Sequence, residues 1–181
     1  VFEFPFRNLR TGFLRQELRV WNELCHSGRE FLPGTSFSIW GVAHEPTPES
    51  MHMSRMYHPM QNFTTEEEFA SYPYPEFDPS QAEECRREVE ALHARGIAAM
   101  VPLNCTIWET AWYMRSMEEM MIGMMTDDPL TERHFERITV LAEQRAAAFA
   151  SCGADLLHLG DDIGMQSYRQ LPTGLCRRGT W

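Results

Sequence analysis

An α/β fold built on a parallel sheet is predicted by three observations. Short, wholly apolar stretches such as IAAMVPL suit strands buried on both faces. Helical patterns that open on capping residues lie between them, and glycines stand where a helix gives way to a strand. The candidate strands return at roughly sixty-residue intervals, long for a minimal βα unit and ordinary where extra helices decorate the loops.

The elements follow in chain order. From Thr11 to Cys25 the apolar residues Phe13, Leu14, Leu18, Trp21, Leu24 and Cys25 recur at three- and four-residue steps, which predicts an amphipathic helix ended by Gly28; residues 1–34 are read as a helical segment. TSFSIWGVAH, Thr35 to His44, is rich in β-branched and aromatic residues between Pro33-Gly34 and Pro46, and predicts a strand feeding a loop that carries HMSRMYHPM. Thr64 and Thr65 each stand three residues before a Glu and open a short helix, after which YPYPEFDP reads as a surface linker.

Ser80, with Glu83 in reciprocal position, caps SQAEECRREVEALHAR, and Gly96 ends it. The strand IAAMVPL follows. Thr106 with Glu109 and Ser116 with Glu119 mark the starts of two further helices, and TERHFERITVLAEQRAAAFASCG closes at Gly153. ADLLHLG then repeats the buried-strand pattern and runs into Asp161 and Asp162.

Composition narrows the functional classes. The 181 residues suit one domain, and 43% hydrophobic with 12% aromatic residues build a sizeable core. A formal charge of −10 without a basic cluster argues against nucleic acid. Five scattered cysteines with no C-x-x-C fit neither a disulfide framework nor a structural zinc site and point to a reducing cytoplasm. No basic-apolar leader and no apolar run near eighteen residues is present, so neither secretion nor membrane spanning is expected.

In parallel α/β folds ligands bind at the carboxyl ends of strands. Asp161 and Asp162 occupy one such end, as candidate catalytic residues; the bland reading has one of them capping a turn while the other faces solvent. Asn104 and Cys105 hold the analogous place after IAAMVPL, where Asn104 is a candidate binding residue and the lone Cys suits packing. Glu109 belongs either to a pocket or to its capping box. His44, His52, His58 and His158 show no metal-site spacing, and His158 reads as a strand residue paired with a backbone or carboxylate partner. His58 is retained as a binding candidate. The methionines from Met114 to Met125 suit core or interface filling, or an adaptable wall against a large apolar ligand.

GVAHEPTPESMHMSRMYHPM, ASYPYPEFD, ALHARGIAAMVPL with IWETAWYMRSMEEMM, and GADLLHLGDDIGMQ resemble, in that order, successive blocks of the uroporphyrinogen decarboxylase superfamily over roughly Phe37 to Gln166. The resemblance is strongest to divergent members associated with cobalamin-dependent methyl transfer. It implies a (β/α)8 barrel, of which residues 35–166 would be part of the amino-terminal half, with extra helices in the loops and a tetrapyrrole-sized cleft at the strand ends. FRNLRTGFLRQELR lacks the R-Q-A-G-R-Y segment that grips substrate carboxylates in the decarboxylases. Corrinoid-linked methyl transfer is therefore expected ahead of porphyrinogen decarboxylation, with a non-catalytic half-barrel that binds a partner or a tetrapyrrole as the other alternative.

The same resemblance implies cobalamin presented by a corrinoid protein, and a zinc ion held in the half of the barrel that would follow. Residues 167–181, LPTGLCRRGTW included, have neither period nor caps and read as an atypical, truncation-like tail. About 250 residues are usual for eight βα units, so association with itself or with a complementing chain is expected.

Overall fold

The computed structural model describes residues 6–15, 25–26, 28–47 and 50–163. In chain order the elements are β1 (Phe6–Asn8), β2 (Leu14–Arg15), β3 (Ser36–Phe37), β4 (Ala43–Thr47), β5 (Ser50–Tyr57), α1 (Glu66–Ser71), β6 (Glu76–Phe77), a 3-10 turn (Pro79–Gln81), α2 (Ala82–His93), β7 (Ala98–Asn104), α3 (Trp108–Arg115), α4 (Met117–Met125), α5 (Pro129–Ser151) and β8 (Leu156–Gly160). The tail from residue 164 lies outside the described residues.

IAAMVPL and ADLLHLG form the parallel pair β7 and β8, and β1 adds a third parallel strand on the other side of β7. The fold is thus mixed α/β with an open three-stranded parallel sheet; the described residues form no closed barrel. Ala99, Val101 and Leu103 turn one face of β7 onto Cys85 and Val89 of α2 and Phe149 of α5, with Leu9 and Phe13 completing this core. Leu157 and Leu159 stand in register with Val101 and Leu103, on the same face, yet are 42% and 64% exposed. Apolar composition alone does not bury a strand. The expectation of a second buried strand is corrected here, because no described helix covers β8.

The amino-terminal helix expected from Thr11 is not formed at its start. Phe13 takes a left-handed conformation with φ 54°, its nitrogen donates to Gln81 Oε1, and its carbonyl accepts from Asp78. Its ring is fully buried, stacked on Phe77 and edge-on to Phe149. Leu14–Arg15 then pairs with Glu76–Phe77, so tertiary packing overrides the helical spacing. Residues 16–24 of that expected helix lie outside the described residues.

The strand expected over Thr35–His44 is a hairpin instead. β3, β4 and β5 form an antiparallel sheet, with the chain reversing before Ala43 at Gly41, φ 79°, and a register shift at Pro46/Thr47 where proline has no N–H to give. The loop expected to carry HMSRMYHPM contains β5. YPYPEFDP is not a surface linker: Tyr72, Tyr74 and Pro75 are buried and Glu76–Phe77 is a strand. These tyrosines join Met60, Trp108, Met114, Met120 and Ile138 in a second core between α1, α3, α4 and α5, where Met114 and Met120 act as filling.

Helix starts agree with the capping pattern in part. Thr65 and Glu68 form a complete capping box, and Ser116 Oγ accepts from Glu119 N. Asp78 rather than Ser80 caps the turn leading into α2, and Asp128 caps α5 three residues ahead of Thr131, where the expected helix began and whose hydroxyl is buried against Arg115 and Asp128.

Candidate functional site

β7 and β8 end side by side, and the chain leaves them through Cys105 and Asp161. Cys105 takes φ 51°, a left-handed turn that carries the chain from strand to helix within a few residues. Gly160 lies against Asn104: a Cβ there would stand 3.2 Å from Asn104 Oδ1 and 3.5 Å from its Cα, so glycine permits the close approach of the strand ends. Thr106 N donates to the Gly160 carbonyl at 3.2 Å, extending the pairing one step past the sheet.

α3 begins at this edge with no cap from its own side chains. Asp161 supplies it. Its Oδ2 accepts from Ile107 N at 2.7 Å and Trp108 N at 3.2 Å, and its Oδ1 from Glu109 N at 2.9 Å. A carboxylate over the first turn satisfies orphan N–H groups and complements the helix dipole. The Thr106–Glu109 capping box is corrected: Thr106 Oγ donates to the Leu103 carbonyl, and the Glu109 side chain points elsewhere.

Glu109 Oε1 accepts from Tyr113 OH at 2.9 Å and Oε2 from Asp162 N at 3.2 Å. Cys105 Sγ lies 3.9 Å from Tyr113 Oη as a donor to it. Burial pushes the Cys105 thiol up, and the Glu109 carboxylate, with Asp161 behind it, pushes in the same direction. Burial and the Glu109 hydrogen bond raise the Tyr113 hydroxyl as well. Both groups therefore hold their protons at neutral pH, and Cys105 is a thiol rather than a poised nucleophile. The arrangement is one carboxylate fixed beside two retained protons, at the carboxyl ends of two parallel strands.

The sequence candidates thus separate. Asp161, Asp162, Glu109 and Cys105 are brought together, and Asn104 stands beside Gly160 at the same end of the sheet. Asp161 is a cap, for α3 rather than for the turn that follows it, and the exposed Asp162 enters through its main-chain nitrogen. His58 meets the other end of α3, its Nδ1 2.8 Å from the Tyr113 carbonyl. Tyr113 was not singled out from sequence, although Glu109 and Tyr113 stand four residues apart on one face of α3.

His158 is an exposed residue of β8, not the buried imidazole expected, and the His52 side chain lies outside the described residues. Among the described residues no three His, Cys, Asp or Glu side chains converge as a group that could hold a metal ion. No described helix is long and apolar enough to cross a membrane. Comparison of the chain with protein-family models, curated proteins and solved structures finds no match.

Proposed function

We propose that the chain is a partial barrel of the uroporphyrinogen decarboxylase type whose strand-end cluster engages a tetrapyrrole, and that its chemistry is corrinoid-linked methyl transfer. The observation that carries this reading is the Glu109 carboxylate, held between Tyr113 OH and Asp162 N at the ends of parallel strands. Parallel α/β sheets receive ligands at that end. A fixed carboxylate suits the amide N–H groups on the rim of a corrin, and Tyr113 is placed to keep that carboxylate oriented. The family resemblance supplies the reaction class. When bound, the corrinoid of a partner protein would supply or accept the methyl group; the part assigned to this chain is to grip and orient it.

The same carboxylate would serve porphyrinogen decarboxylation by stabilising a protonated pyrrole. The missing arginine segment favours the methyl-transfer reading. A cytoplasmic protein that works with a corrinoid protein, as an oligomer or with a complementing chain, is part of the same proposal, and the bare β8 face supports the association.

Titration of the chain with hydroxocobalamin and, in parallel, with uroporphyrin, followed by visible absorbance, tests it. Saturable binding of the corrinoid, weakened about tenfold in Glu109→Gln with the melting temperature unchanged, is expected. Binding of uroporphyrin alone would transfer the reading to the decarboxylase, and no binding of either would end it.

A further inference from the structure

Cys85 lies one turn inside α2, wholly buried, and Cys152 is the C-cap of α5, 7% exposed. Both belong to the core under β7 with Val89, Leu103 and Phe149. Cys152 Sγ donates to the Ala82 carbonyl at 3.5 Å, across 70 positions of chain. That bond aims the sulphur at the first turn of α2, where Cys85 follows Ala82 by one helical step. Cys85 and Cys152 pack in the same buried cluster, and the Cys152 thiol is near enough to help hold the Cys85 proton in place. Two sulphurs from different helices thus meet in an apolar layer, where no described metal site uses them.

We propose that Cys85 and Cys152 form a reversible disulfide staple between α2 and α5, closed by a low-molecular-weight disulfide such as oxidised glutathione. Cys152, the more exposed, is the entry point. Its thiolate attacks one sulphur of the oxidant, an S–S bond forms to Cys152, and the other half leaves as a thiolate. Cys85 then gives up its proton and attacks the Cys152 sulphur, expelling the second half. Two protein thiols lose two electrons, the oxidant is reduced to two thiols, and those thiols carry the two protons.

Burial pushes the Cys85 thiol up to about 12, with the neighbouring Cys152 thiol acting in the same direction. Little thiolate is present, so closure is slow and the reduced pair withstands brief oxidation. The link would sit where α5 passes through Gly153 into β8, and so would tie down the strand that delivers Asp161. It would close a loop of roughly 70 residues, a length at which a cross-link strongly restricts the unfolded chain.

The test is equilibration of the full chain with excess oxidised glutathione at mildly alkaline pH, followed by alkylation, digestion without reduction and mass mapping. The expected product is about 2 Da lighter, carries a Cys85–Cys152 linked peptide, melts on the order of 10 °C higher, and reverts on reduction. Cys85→Ser and Cys152→Ser should each abolish the linked peptide and the rise in melting temperature. Recovery of the two cysteines at equilibrium as free thiols, as separate glutathione adducts, or linked to Cys25 or Cys105 overturns the proposal, as does a linked form that melts lower. The map of the wild-type chain decides the matter even where a serine variant does not fold.

Discussion

Glu109 donates its main-chain nitrogen to the Asp161 carboxylate at 2.9 Å, while its own carboxylate accepts from the main chain of the next residue, Asp162, at 3.2 Å. The start of α3 and the end of β8 are therefore clamped in both directions, and the pair reports on fold and site together.

Asp161→Ala removes an acceptor from three backbone N–H groups and should cost about 1–2 kcal/mol. Asp161→Asn keeps an acceptor at the cap and should recover part of the loss. Denaturant unfolding gives the number, and an alanine variant as stable as the wild type would show that α3 needs no cap.

Glu109→Gln removes the charge that, after burial, holds the Cys105 thiol up. Its alkylation by iodoacetamide at pH 8 should become several-fold faster, with the pH profile displaced downward. Peptide mapping isolates Cys105 from the other cysteines. An unchanged rate would mean that burial alone sets this thiol.

His134 is 1% exposed, and its Nδ1 stands 2.7 Å from Tyr74 Oη and its Nε2 3.2 Å from the Ala111 carbonyl. Desolvation lowers it from 6.5 to about 4. The unfolded chain binds this proton first, so stability is complete above pH 6.5 and falls as pH drops toward 4, by up to about 3 kcal/mol. His26 and His44, both lowered chiefly by burial, act in the same direction. Below about pH 4 the lowered carboxyls Asp128 and Asp155 take over. Unfolding free energies at pH 7.5 and 5 should differ in the wild type and differ by less in His134→Gln, where His26 and His44 leave a remainder.

Gly123 faces Thr131 so closely that a Cβ would stand 2.0 Å from its Oγ1 and 2.9 Å from its Cβ. Thr131 cannot swing aside without leaving Asp128 and Arg115. Gly123→Ala should cost at least about 2 kcal/mol by overpacking, the reverse of the usual gain from alanine in a helix. Combining it with Thr131→Ala should cost less than the sum of the two single changes.

Leu159 is 64% exposed on the uncovered face of β8. Leu159→Lys should change unfolding stability by less than about 0.5 kcal/mol while shifting light scattering toward smaller species. Equal scattering from both proteins would show that this face drives no association.

Patterns set by local physics were legible in the sequence. Thr65 with Glu68 and Ser116 with Glu119 use bonds three residues apart, and the apolar runs of β7 and β8 announce a parallel pair. What stayed hidden depends on partners far along the chain. Phe13 leaves the helical pattern for Phe77 and Phe149, and Glu109 leaves its capping box because Asp161, 52 positions later, takes the cap. The strand-end rule put Asp161, Asp162 and Asn104 at the carboxyl ends of β7 and β8, where they lie, whereas Tyr113 needed the helix face to be drawn.

The distance along the chain between α3 and its cap has a consequence during synthesis. At roughly 5–20 residues per second, the ribosome releases the first turn of α3 about 3–10 s before Asp161 emerges. In that interval the N–H groups of Ile107, Trp108 and Glu109 must be met by water, and a helix of eight residues does not hold in water unaided. The nascent chain thus carries a segment that stays unsettled until β8 pairs with β7. Glu109, Tyr113 and Cys105 then take up their mutual positions in one late event.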